Sequence, residues 1–95
     1  MAGAAVLIAI AQGMITRADL AFTGLADTPF LAAAAARLVG TQGEAELIAQ
    51  VAAAAVAGVE ANDDIHATPA YRTHLAMVAA RRALTQAVDQ ARRAR

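Results

Sequence analysis

Apolar positions change their spacing along this chain, and the changes divide it into elements. Residues 2–11 are almost uniformly apolar, and their Val6-Leu7-Ile8-Ala9-Ile10 centre is rich in β-branched side chains. That composition predicts a buried strand, although the many alanines also suit a helix. Gln12-Gly13 is a turn candidate. Ile15 to Thr23 then alternates in part, with Leu20 and Phe22 on one side and Asp19 on the other, which predicts an antiparallel hairpin.

Three helices are expected after the hairpin. Thr28-Pro29 is a cap followed by a first-turn proline, and Gly40 closes the apolar run behind it, so a first helix is placed at about 29–39. A second begins near Glu44, where Glu44 and Glu46 suit the positive end of a helix. Its stripe is Leu47, Ile48, Val51, Ala54, Ala55, Gly58 and Val59, with Glu46, Gln50 and Glu60 opposite. Gly58 inside this helix costs roughly 1 kcal/mol relative to alanine and is read as a packing position. Thr68-Pro69 repeats the cap-and-proline arrangement and starts a third helix, to about Arg92. Tyr71, Leu75 and Val78 form one ridge of it and Met77, Leu84 and Val88 another. His74 and Arg81 lie between, either reaching solvent or sitting at a contact between two packed surfaces. The fold class expected is α+β: a small antiparallel sheet, a hairpin that a third strand can extend, packed against three helices, in a single domain over residues 1–95.

Composition limits how much core this pattern can supply. The 95 residues lie near the size at which burial only just offsets chain entropy, and about a third are alanine while only three are aromatic. Each buried Leu, Ile, Val or Phe contributes roughly 1.5–3 kcal/mol, so the larger apolar side chains must be placed efficiently. The apolar run at residues 2–11 is shorter than the roughly 20 residues that span a bilayer and lacks a basic leader, so neither a membrane span nor an export signal is expected. With no cysteine there is no disulfide, thiolate metal site or iron–sulfur ligation, which is compatible with a reducing cytoplasm.

Charge is formally balanced, yet the part after Pro69 holds Arg72, Arg81, Arg82, Arg92, Arg93 and Arg95 against Asp89 alone. That asymmetry permits an acidic partner. Nucleic-acid binding is not expected, because no aromatic side chain accompanies the arginines after position 80. The other candidate chemistry is thin. His66 and His74 lack the spacing that puts two histidines on one helical face, so no metal site is expected. Asp63 and Asp64 are adjacent carboxylates without a nucleophile, and no GxGxxG, P-loop or lysine is present to hold a phosphate. Asp64 is read as a structural acceptor that pairs with Arg72 or bonds the amides of the last helix, and Tyr71 as a core anchor.

Asp64, Thr68, Tyr71, Arg72, Leu75 and Arg82-Ala83-Leu84 together resemble a signature of the C-terminal domain of the flavin-binding medium subunit in carbon monoxide dehydrogenase and xanthine dehydrogenase-type molybdenum hydroxylases. Upstream, the strand Ala18–Phe22 followed by Gly24 and Thr28-Pro29 is similar to a second stretch of the same domain. The resemblance implies an electron-transfer oxidoreductase in which FAD is held by the full-length medium subunit, and none by this chain alone. It implies flavin-binding domains, an iron–sulfur subunit and a molybdopterin subunit as partners, and an accessory, noncatalytic role for this module. Asp64, Thr68, Tyr71, Arg72, His74, Arg81 and Arg82 would be its architectural and interface residues. Against the family pattern, the chain is expected to lack the FAD-binding domains and to begin near the module's first strand. The alternative is a stand-alone protein without redox role that self-associates through its alanine-rich helices, since small side chains let helices approach closely.

Overall fold

The computed structural model describes residues 3–23, 30–60 and 70–93. Strands β1 (Gly3–Ala11) and β2 (Met14–Thr23) form the expected antiparallel hairpin. Gln12 and Gly13 both take positive φ, 55° and 79°, the two-residue arrangement whose twist matches that of paired strands. The register slips once: Ile10 faces Ile15 but Ala9 faces Arg17, so Thr16 is the extra residue of a bulge. Its hydroxyl donates to the Ala9 carbonyl across the irregularity. Because of the bulge, Ile15 and the set Ala18, Leu20 and Phe22 all turn inward.

A two-residue third strand, β3 (Phe30–Leu31), extends the sheet on the far side of β2, in the order β1-β2-β3. The helix expected at 29–39 is instead this strand followed by a 3₁₀ helix at Ala33–Leu38; Thr28 and Pro29 lie outside the described residues. Pairing explains the difference: residues 30 and 31 join β2, and the Ala32 amide donates to the Leu20 carbonyl. Gly40, at φ +84°, ends the turn as anticipated. Helices α1 (Ala45–Glu60) and α2 (Ala70–Arg93) complete the α+β fold, with α2 packed on β1 and α1, and α1 also against the 3₁₀ helix.

The core lies between the sheet's inner face and the helices: Ile15, Leu20, Phe22, Leu38, Val51, Val59 and Leu84 are its largest fully buried side chains. Two sequence expectations shift. No residue of β1 is fully buried, because it is the edge strand and only its inward side, Ala4, Val6, Ile8 and Ile10, meets the core. On α1 the buried stripe runs through Ala52 and Val56 as well as Ile48, Val51, Ala55 and Val59, while Gly58 is exposed with open space where a Cβ would stand. A helix apolar nearly all round offers little contrast from which to choose a face.

The loop from Val39 to Glu44 joins the layers. The Ile15 amide donates to the Thr41 carbonyl and the Gly40 amide to the Ile15 carbonyl, each at 2.8 Å. The Thr41 hydroxyl donates to the Leu38 carbonyl and accepts from the Gly43 amide. Gly43, φ +70°, is buried against Ile15 and Val88, and the Arg92 guanidinium donates to the Gln42 carbonyl from α2.

Candidate functional site

The residues singled out from sequence cluster on α2 and the segment before it. Asp64 and Thr68 lie outside the described residues, as do the side chains of Tyr71 and Arg72 at the start of α2. His74, Arg81 and Arg82 are described, and all three are exposed. Of the two arrangements open to His74 and Arg81, within this chain it is exposure to solvent that holds.

The orientation of α2 follows from which of its side chains are buried. Ala76, Ala80, Leu84 and Val88, each four residues apart, face the core, and Met77 is packed beside them. The ridge through Leu84 and Val88 therefore faces the core, whereas on the other ridge Leu75 is 53% exposed, Val78 is half-buried and the Tyr71 side chain lies outside the described residues. A residue nine positions before Leu84 points almost directly away from it at 3.6 residues per turn. Leu75 instead shares its outward stripe with Arg82, seven residues on, a relation present in the sequence spacing that the apolar character of leucine obscures.

Arg81 and Arg82 line, with Thr85 and Gln86, a shallow depression of about 410 Å³. The Thr85 hydroxyl is committed to the Arg81 carbonyl at 2.8 Å, so the two guanidiniums are the charged donors there. A second depression, about 350 Å³, lies between the 3₁₀ helix and α1, lined chiefly by Leu31, Ala33, Ala34, Arg37, Ala54 and Gly58. Leu31 at its edge is 77% exposed, and neither it nor Arg37 stands out in the sequence.

These surfaces are suited to contact more than to reaction. Among the described residues there is no group of three or more His, Asp or Glu side chains that could hold a metal. Phe22 is wholly enclosed, Gly13 and Gly40 form turns, and Gly43 is walled by Ile15 and Val88. Among the described residues no helix is long and apolar enough to cross a membrane.

A family model for the CO dehydrogenase flavoprotein C-terminal domain matches residues 1–87. Among solved structures, the chain is similar to one of Cu,Mo-CO dehydrogenase in its cyanide-inactivated form, with 30% identity and a TM-score of 0.75 over 94% of this chain and 32% of that one. It is likewise similar to reconstituted CO dehydrogenase from Oligotropha carboxidovorans, with 31% identity and a TM-score of 0.74 over 93% of this chain and 31% of that one. The chain thus spans about a third of the length of these solved chains. No curated protein matches it.

Proposed function

Because the chain belongs to the CO dehydrogenase flavoprotein C-terminal domain family, we propose that it serves as an accessory domain of a molybdenum hydroxylase flavoprotein. In this role it does no chemistry of its own and supports the packing of FAD-binding domains and of the iron–sulfur and molybdopterin subunits. The observation that supports this reading is the extent of the likeness: the two solved CO dehydrogenase chains cover 94% and 93% of this chain at TM-scores of 0.75 and 0.74. FAD would be held by the full-length subunit, in the cytoplasm, with this module contributing a rigid surface. The corner formed by Asp64, Thr68, Tyr71 and Arg72 would hold the start of α2, and His74, Arg81 and Arg82 would face partners.

A second reading, a self-associating protein without redox role, is favoured by the apolar edge strand β1, whose outer side leaves Leu7 51% exposed. A pull-down of the tagged chain from its native cells, with mass spectrometry and an absorbance spectrum of the eluate, separates the two. Flavin, iron–sulfur and molybdopterin polypeptides in a coloured eluate are expected. A colourless homodimer alone would overturn the accessory role and leave self-association.

A further inference from the structure

The outward stripe of α2 carries an exposed apolar side chain and, near it, two adjacent guanidiniums, which one partner could engage together. Leu75 is 53% exposed on the side of the helix opposite the buried Leu84. Two turns on, in the same direction, stands Arg82, flanked by Arg81 over the depression they share with Thr85 and Gln86. Arg17 pairs with Asp19, Arg93 with Asp89, and Arg92 donates to the Gln42 carbonyl, whereas Arg37 on the 3₁₀ helix has no acceptor among the described residues; Arg81 and Arg82 differ from it in standing side by side over one depression. Among the described residues Arg81 and Arg82 form no ion pair and their side chains no hydrogen bond.

Resting on the accessory-domain reading, we propose that this stripe docks an acidic segment of a partner polypeptide, one that sets an apolar side chain on Leu75 and carboxylates on Arg81 and Arg82. Charge complementarity selects this occupant. Guanidiniums bind carboxylates with paired, directional donors, and arginine beside an apolar anchor is characteristic of the strongest points of protein interfaces. A second copy brought α2 to α2 about a two-fold axis would set arginines against arginines. Nucleic acid would satisfy the charges but not Leu75, and no aromatic stacking platform accompanies them on the described part of α2.

The test uses the full chain in four forms: wild type, the double reversal Arg81→Glu with Arg82→Glu, Leu75→Ser, and Arg17→Glu as a charge-reversal control on the sheet. Each is used to capture partners from native cells at low and at raised salt, with identification of the captured polypeptides and mapping of cross-links to α2. All the substituted positions are exposed, and unchanged thermal melting verifies the fold. Wild type and the control are expected to capture flavin-, iron–sulfur- or molybdopterin-binding polypeptides through a segment rich in Asp and Glu. The double reversal is expected to reduce capture at least about tenfold, Leu75→Ser to a lesser extent, and added salt to weaken what remains. Equal capture by wild type and the double reversal overturns the docking surface and leaves the accessory role standing. Failure of wild type to capture any of these polypeptides overturns both, and a homodimer or nucleic acid held through α2 in their place overturns the choice of occupant.

Discussion

Adding one methyl group at Gly43 tests how tightly the loop between the 3₁₀ helix and α1 is fitted. In Gly43→Ala the new Cβ stands 3.0 Å from the Ile15 Cδ1 and 3.2 Å from both Val88 methyl carbons, on a backbone at φ +70°. The left-handed conformation costs an L-residue about 1–2 kcal/mol. Forcing a methyl group into packed surroundings costs about 1–3 kcal/mol more. Gly40→Ala provides the control, because its φ is +84° but nothing lies within 4 Å of the added Cβ. The expected losses are therefore about 2–5 kcal/mol at Gly43 and about 1–2 kcal/mol at Gly40. Against a total of about 5–14 kcal/mol, taken from about 0.05–0.15 kcal/mol per residue, both are measurable. Equilibrium urea unfolding followed by circular dichroism reads the difference as a shift in midpoint at constant slope. Equal losses would refute the reasoning, showing that Ile15 and Val88 move aside and that only backbone conformation is felt.

Leu84→Ala, at a fully buried position where α2 meets the core, should lose about 2–5 kcal/mol in the same assay. Thr41→Val removes a hydroxyl that both donates to the Leu38 carbonyl and accepts from the Gly43 amide; a loss of about 1–2 kcal/mol is expected, with amide exchange quickening first at Gly43. Gln12→Asn should raise stability by a few tenths of a kcal/mol, since asparagine accepts the positive φ of the hairpin turn more readily, and a melting temperature at or below that of the wild type would count against it.

How far the fold is legible in the sequence depends on local contrast. In β2 the charged Arg17 and Asp19 lie opposite Leu20 and Phe22, so the inward face could be assigned before the structure. In β1 alanine, valine, leucine and isoleucine occupy both faces, and only the pairing with β2 and the cover from α2 decide which is which. The 3₁₀ helix is an alanine-rich stretch that also reads as an α-helix, and the tie is broken by β2 capturing residues 30 and 31, a long-range bond that no local propensity encodes. Leu75 was misplaced for the opposite reason: its apolar character argues for burial, and the register of Ala76, Ala80, Leu84 and Val88 overrides it. At the candidate site the arginines were visible as charges, but their lack of partners among the described residues is a three-dimensional fact.

The packing of α2 against β1 joins the first described element to the last. During synthesis β1 and β2 can zip into their hairpin within microseconds, since only the two-residue turn separates them. The inner side of β1 must then wait while about sixty further residues are made, some 3–12 s at roughly 5–20 residues per second. For that interval the nascent chain presents an apolar edge with no charge to discourage mispairing. Slower translation lengthens that interval and, with it, the time in which the edge can mispair.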